Sequence, residues 1–258
     1  MMRRQYVRQP SRAADWSLPP AVFAPVLAAV ATIAHRTASL SDSNYILVLS
    51  VSFLLALAGA CLALLGLRSL WMRAAIGGRR SAVSLFASLP VLIPAAFAFW
   101  QFSATAPLSD ISTDTVDPPH FSQSVESDAA SNANEPPRLN AELQKQFYPA
   151  ATGRRYQLSA DSIHAQVVAL IEENGWRVRQ LPPFAPGAGE WTIEAEVTTP
   201  VMGFRDEVIV RLTDEGESTF VDMRSASLFG SRDLGANARR IQAFMSSLDL
   251  RIQGVGGG

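Results

Sequence analysis

Three long apolar runs in the first hundred residues constrain the fold of this chain more than any other feature. No charged residue occurs in the 25 positions of 43–67 or in the 22 positions of 81–102. An α-helix rises about 1.5 Å per residue and a bilayer core is about 30 Å thick, so each run can span a membrane as a helix. The run 17–34 is shorter and contains three prolines. We therefore predict a transmembrane region over 1–102, with helices at about 17–35, 45–67 and 81–102.

The placement of the arginines predicts how these helices are oriented. Four arginines precede the first run, one lies between the first and second runs, four lie between the second and third, and none lies between Phe102 and Arg138. Positively charged loops stay on the cytoplasmic side, so the pattern predicts a cytoplasmic N-terminus and an exported C-terminal domain. A cleaved signal peptide is the alternative for the first run, because arginines precede it and small residues follow it. Both alternatives place the residues after Phe102 on the same side.

The composition indicates which membrane this is. Arginine outnumbers lysine by 21 to 1, and alanine, proline and glycine are abundant. We interpret this bias as that of a bacterial chain from a GC-rich genome. The predicted location is the bacterial inner membrane, with the N-terminus in the cytoplasm and the C-terminal domain in the periplasm.

Charge and cysteine content exclude several classes of protein. Residues 1–102 carry nine arginines and two acidic residues, whereas 103–258 carries 13 basic and 21 acidic residues. Because the basic surplus is confined to the apolar part, we expect the bilayer as a partner and no nucleic acid. The single cysteine, Cys61, excludes a disulfide framework and a cysteine-based zinc site. We expect no cofactor.

The residues after Phe102 are polar and rich in proline. We predict that 103–121 is an extended segment packing on or near the C-terminal domain, and that 122–140 is a flexible linker. Three aspartates and a histidine in the first segment invite a divalent cation, since oxygen and imidazole ligands suit one. The alternative, which we favour, is that the aspartates cap turns, because no second ligand cluster supports a metal. The four residues are Asp110, Asp114, Asp117 and His120.

Periodic apolar patterns predict an α+β domain over 141–252. A 3.6-residue period indicates helices over about 161–174 and 236–248. Between them, four segments have a two-residue period: 176–179, 191–198, 206–213 and 219–225. Strands that follow one another directly are antiparallel, so we predict a membrane-anchored α+β fold whose two-layer domain has a four-stranded antiparallel sheet and two helices. Residues 253–258 are predicted to be a flexible tail.

The sheet face away from the helices would carry charged side chains. One interpretation is cross-strand ion pairing on a solvated surface, and the other is a polar platform for a ligand or partner. The residues are Glu194, Glu196, Arg211, Asp222 and Arg224.

The segment 221–241 is the densest motif in the chain. A strand ends in serines and glycines and leads directly into a helix start flanked by arginines, an arrangement of N–H and guanidinium groups that suits an anion. In the alternative the motif is structural, with Asp233 capping the helix, Gly230 and Gly235 supplying turn conformations, and Asp222 pairing with an arginine. The candidate anion-binding residues are Arg224, Ser225, Ser227, Arg232, Asn237 and Arg240.

The motif resembles a bacterial family, domain of unknown function 1499 (DUF1499). The resemblance rests on Asp-x-Arg-Ser-x-Ser followed by Gly-x-x-Asp-x-Gly-x-Asn-x-x-Arg-Ile between Asp222 and Ile241, and with upstream segments it covers about 106–250. Members often have arginine after the second serine, where this chain has Leu228, so one candidate anion contact is missing. The resemblance implies a domain that is sometimes fused to membrane helices. It implies no activity.

These features leave three alternative functions for the protein. The first is a non-catalytic binding module that holds an anionic small molecule, a lipid head group or an envelope partner near the membrane. The second is a structural or assembly subunit of a membrane complex. The third, a hydrolase, is disfavoured because neither Gly-x-Ser-x-Gly nor His-Glu-x-x-His occurs and only His120 is placed to act as a base. No catalytic residue is predicted.

Overall fold

The computed structural model describes residues 9–122, 140–185 and 187–255. The chain forms two compact units, Met1–Trp100 and Gln101–Gly258. All of the predicted linker except its two end residues lies outside the described residues, as do the last three residues of the predicted tail.

The first unit consists of long apolar helices: α1 (Arg12–Arg36), α2 (Asp42–Arg73) and most of α3 (Gly78–Ala104). All three are long and apolar enough to cross a membrane. The predicted apolar helices are therefore confirmed, and they suggest a membrane anchor. Helix α1 begins before its predicted start because Ser11 caps it, its hydroxyl accepting a hydrogen bond from the N–H of Ala14 at 3.4 Å.

Small residues let α1 and α2 pack closely. A Cβ atom added at Gly59 would lie 2.8 Å from the Cβ of Ala21, and one added at Gly66 would lie 3.0 Å from that of Ala14. The first distance is shorter than real Cβ atoms show and the second is tighter than most real contacts, so the two glycines allow close backbone approach between the helices. Such contact is the usual basis of helix association within a membrane.

The second unit is built on an antiparallel sheet whose four long strands follow one another, as predicted. They are β3 (Arg177–Gln180), β4 (Glu190–Thr198), β5 (Arg205–Asp214) and β6 (Thr219–Ser227). The predicted strand number is wrong, because the sheet has six strands. The additional strands, β1 (Asp110–Ser112) and β2 (Arg154–Tyr156), both pair with the outer edge of β6. Each has only three residues, too few for a two-residue period to stand out in the sequence.

Helices α5 (Ala160–Glu173) and α6 (Ala236–Val255) cover one face of the sheet and close the hydrophobic core. Helix α6 continues past the predicted end at Leu248. The unpredicted helix α4 (Ala141–Phe147) supports β1, since the Gln144 amide donates to the carbonyl of Ser112 at 2.5 Å and accepts from its N–H at 3.1 Å. Fully buried core side chains include Ile163, Ile171, Ile193, Met223, Ile241 and Phe244.

Residues 113–122, which we call the strap, cross the opposite face of the sheet. The Thr113 hydroxyl accepts a hydrogen bond from the N–H of Met223 on β6 at 2.8 Å. At the other end of the strap, the N–H of Ser122 donates to the carboxylate of Glu194 on β4 at 2.7 Å. The strap therefore runs from β6 to β4 over the charged face.

The ring of His164 on α5 lies in surroundings that disfavour its protonated form. The ring lies against Phe184, with centroids 5.4 Å apart. Its Nε2 atom is buried and has no hydrogen-bond partner among the described residues. Burial lowers the pKa of His164, and Asp161 only partly opposes this. In the unfolded chain a histidine has a pKa of about 6.5.

We therefore expect the free energy of unfolding to fall as pH decreases from about 7 through the lowered pKa of His164, because the unfolded chain binds the proton first. The measurement is chemical denaturation of the full-length protein in neutral detergent across this range. His164→Phe should flatten part of the decline, since it keeps a ring and removes the titrating group. An unchanged pH profile in the variant would contradict this assignment.

Candidate functional site

Strand β6 divides the motif residues between two faces of the sheet. Side chains alternate along a strand, so Ser225 and Ser227 face α6, whereas Asp222 and Arg224 face the strap. The six candidate anion-binding residues therefore do not converge on one site.

On the α6 face, the motif residues bond to one another around Asn237. This side chain is fully buried in the first turn of α6. Its amide donates to the carbonyl of Ser109 and to the hydroxyl of Ser227, each at 3.0 Å, and accepts from the hydroxyl of Ser225 at 2.7 Å. Asn237 thus connects α6 to β6 and to the residue before β1.

Arg240 completes this cluster. Its guanidinium donates to the amide oxygen of Asn237 at 2.6 Å, to the hydroxyl of Ser225 at 2.7 Å and to the carboxylate of Asp206 at 2.5 Å. Asp206 is buried at the start of β5 and supplies the countercharge. Sequence reasoning missed Asp206, because only the register of β5 against β6 brings it beneath α6.

Asp233 caps the start of α6. One carboxylate oxygen accepts the N–H of Gly235 at 2.8 Å and the other accepts that of Asn237 at 2.6 Å. Burial raises the pKa of Asp233, and these two N–H groups partly oppose the rise. Gly230 and Gly235 both have positive φ, 82° and 77°. On these points the geometry matches the structural interpretation of the motif.

On the strap face, Arg224 is buried and fully engaged. Its Nε and Nη2 atoms donate to the two carboxylate oxygens of Asp110 at 3.0 and 2.8 Å, and Nη1 donates to the carbonyl of Pro119 at 3.0 Å. The guanidinium carbon also lies 5.0 Å from the ring centroid of Phe121. Arg224 therefore joins β6, β1 and the strap.

Arg211 on β5 plays a similar part under the middle of the strap. It donates to the carboxylate of Asp222 at 3.0 Å, to that of Asp117 at 3.0 Å and to the carbonyl of Asp117 at 2.8 Å. Burial raises the pKa of Asp222, while the Arg211 guanidinium opposes the rise. The pairing of Asp222 with an arginine, expected under the structural interpretation, is therefore present.

The four metal candidates do not gather around a common point. Asp110 pairs with Arg224 and Asp117 with Arg211, while Asp114 accepts the N–H groups of Val116 and Asp117 at 2.8 and 3.0 Å, as a turn cap does. His120 is exposed. Within residues 9–122, 140–185 and 187–255, no group of three His, Cys, Asp or Glu side chains could hold a metal ion.

Arg232 differs from the other two candidate arginines, Arg224 and Arg240. Its guanidinium donates to the carbonyl of Phe102 at 3.0 Å and lies 4.1 Å from the centroid of that ring. No carboxylate in the described part of the chain pairs with it.

The edge strand β3 offers an exposed polar surface at one end of the sheet. All four of its residues are exposed, and it ends the sheet. A cavity of about 350 Å³ lies beside it, lined by Ser122, Arg179, Gln180 and Glu194. The lining includes Arg179 and Glu194, so the cavity carries charge of both signs, and Arg179 also pairs with Glu207.

Comparison with known proteins supports the motif assignment. A family model described as "Protein of unknown function (DUF1499)" matches residues 110–248, just over half of the chain. This range contains every candidate anion-binding residue and all six strands of the sheet. No curated protein matches the chain.

Proposed function

The chain belongs to the DUF1499 family of proteins of unknown function, and we propose that it is a non-catalytic protein of the bacterial inner membrane whose C-terminal domain binds an envelope partner. A permanent partner would make it an assembly subunit of a membrane complex.

The observation that carries this proposal is that two motif arginines form buried ion pairs within the domain. Arg224 is paired with Asp110, and Arg240 with Asp206, all four side chains being mostly or fully withdrawn from solvent. Moving an arginine away from a buried carboxylate to bind another anion would leave that carboxylate uncompensated. These buried pairs favour a structural role for the motif. A binding surface for a partner would then lie on the outside of the domain.

The edge of β3 is the outer surface that best suits a partner. An edge strand presents unpaired backbone N–H and C=O groups, to which an extended segment can add as a further strand. Arg177 is 76% exposed at its side chain and lies 3.8 Å from Glu196, which leaves its charge accessible. We therefore propose that the partner contributes an extended segment with acidic residues.

The proposed location of the N-terminus and of the C-terminal domain rests on the number of arginines in each loop. With four, one, four and no arginines in successive segments, the N-terminus belongs in the cytoplasm and the C-terminal domain in the periplasm. The partner proposed here would then be another periplasmic or membrane protein.

A second candidate function is binding of an anionic small molecule, and Arg232 favours it. Of the three candidate arginines, Arg232 is the one whose charge has no carboxylate partner among the described residues. An anion placed there would contact Arg232 without breaking a buried pair. The full set of candidate residues, from Arg224 to Arg240, cannot share one anion in this arrangement because they face opposite sides of the sheet.

A photo-crosslinking amino acid placed in the full-length protein in bacterial cells tests the partner site. We expect a cross-linked product of defined mass from Val178 on β3, and its loss when an unlabelled copy of the protein is overproduced. Glu172, exposed on α5, is the matched control and should give none. The same product from both positions, or from neither, would contradict docking at the β3 edge.

A further inference from the structure

A cavity of about 900 Å³ lies at the arginine-rich end of the helical unit. Its walls come from the start of α1, the last turns of α2 and the turn that follows α2. The polar groups that line it include Ser11, Arg12, Ser69 and Arg73. It is separate from the motif and from the β3 edge, since all of its lining residues belong to the first unit.

The cavity is rich in hydrogen-bond donors that have no partner among residues 9–122, 140–185 and 187–255. Arg12 and Arg73 are exposed, and in the described part of the chain neither pairs with a carboxylate. The backbone N–H groups of Arg12 and Ala13 open α1, where a helix leaves its first amides unbonded and carries partial positive charge. The Ser69 hydroxyl is buried, and it has no hydrogen-bond partner in the part of the chain that the structure describes.

Little negative charge opposes these groups. Asp15, the acidic residue in the first turn of α1, does not line the cavity and is paired with Arg80. The cavity therefore combines two guanidinium groups with a helix start, which is the chemistry that binds phosphate.

The surroundings indicate the source of that phosphate. Trp71, Met72 and Ile76, next to the cavity, are 92, 65 and 57% exposed, as residues facing the interfacial region of a bilayer are. The arginine-rich end also faces the leaflet that carries anionic lipids, if the helices span the membrane as proposed. We propose that this cavity binds the phosphate group of an anionic phospholipid. This inference rests on the membrane location and is independent of the β3 docking site.

Native mass spectrometry of the delipidated full-length protein in neutral detergent tests the proposal. We expect phosphatidylglycerol to remain bound at several-fold higher occupancy than phosphatidylcholine, whose head group has no net charge. The Arg12→Gln/Arg73→Gln double variant should lower phosphatidylglycerol binding to the level of phosphatidylcholine. The matched control, Arg68→Gln/Arg79→Gln, removes the same charge at the same end from residues outside the cavity lining and should bind as the wild type does.

Two results would overturn the proposal. Equal losses in both double variants would show diffuse attraction between lipid and positive charge instead of a site. Displacement of the lipid by inorganic phosphate at equal concentration would assign the site to a soluble phosphate. Thermal unfolding of each variant in detergent checks that it remains folded, and Arg12→Lys/Arg73→Lys, which keeps both charges, should retain most of the binding.

Discussion

Replacing Arg224 by leucine is expected to destabilise the C-terminal domain by about 3–5 kcal/mol, because it leaves a buried carboxylate without its partner. Arg224 and Asp110 have side chains only 6 and 7% exposed, and the pair is bidentate. The substitution also removes the hydrogen bond to the carbonyl of Pro119, so the strap loses one of its contacts with β6. The measurement is the free energy of unfolding of the full-length protein, from denaturant titration followed by tryptophan fluorescence.

An exposed pair provides the control. Arg155 and Glu215 are also joined in a bidentate arrangement, at 2.5 and 2.8 Å, but on the surface, where solvent screens the charges. Arg155→Leu should therefore cost far less than Arg224→Leu. The double variant Arg224→Leu/Asp110→Leu should recover much of the loss, since it removes both buried charges. Equal losses from the two arginine variants would contradict the larger contribution to stability assigned to the buried pair.

The second large effect is expected at Asn237, where leucine should cost about 2–4 kcal/mol. Each buried polar group left without a hydrogen bond costs about 1–3 kcal/mol. Asn237→Leu leaves the carbonyl of Ser109 and the hydroxyl of Ser225 without this partner, and it removes one acceptor of Arg240. The loss should appear in the same denaturant titration as a lower midpoint with an unchanged slope.

Asn174 at the end of α5 is the comparison for this variant. Its amide makes one hydrogen bond, to the carbonyl of Leu170 at 2.7 Å, and the residue is exposed. Asn174→Leu should change the free energy of unfolding much less than Asn237→Leu. If Asn237→Leu were as stable as the wild type, the proposed network would not contribute to folding.

Most of the helices and the longer strands could be predicted from the sequence because buried apolar residues recur along them at a regular spacing. The long helices of the first unit, α5 and the four long strands each contain enough residues for an apolar run or period to appear. The three-residue strands β1 and β2 have no such period, and they are placed by pairing with β6, over 100 residues away in the case of β1. Contacts of that kind depend on chain topology and are not encoded locally.

The residues of the motif also divide into those whose roles could be predicted from the sequence and those whose partners depend on the fold. Asp233, Gly230 and Gly235 act through neighbouring backbone, so their roles could be anticipated from the sequence. The partners of Arg224 and Arg240 could not, because Asp110 and Asp206 become neighbours only through the register of β6 with β1 and β5. Side chains alternate between the two faces of a sheet along a strand, and this rule can be applied to the sequence of β6. It alone places Arg224 and Ser225 on opposite faces.

We propose from these arrangements that the dense family motif holds the domain together, and that Arg224 and Arg240 are structural residues and not ligand contacts. Arg224 joins β6, β1 and the strap, and Arg240 joins α6 to β5. A partner would then bind outside the motif, at the exposed edge of β3.

Thermal unfolding of the full-length protein with a panel of soluble anions tests this claim most directly. The panel contains inorganic phosphate, nucleotides and glycerol phosphate, and the Arg12→Gln/Arg73→Gln background removes any contribution from the helical unit. We predict that no anion raises the unfolding temperature of the C-terminal domain by binding to Arg224 or Arg240. A rise of several degrees that either Arg224→Leu or Arg240→Leu abolishes would contradict it, and would make the motif a ligand site.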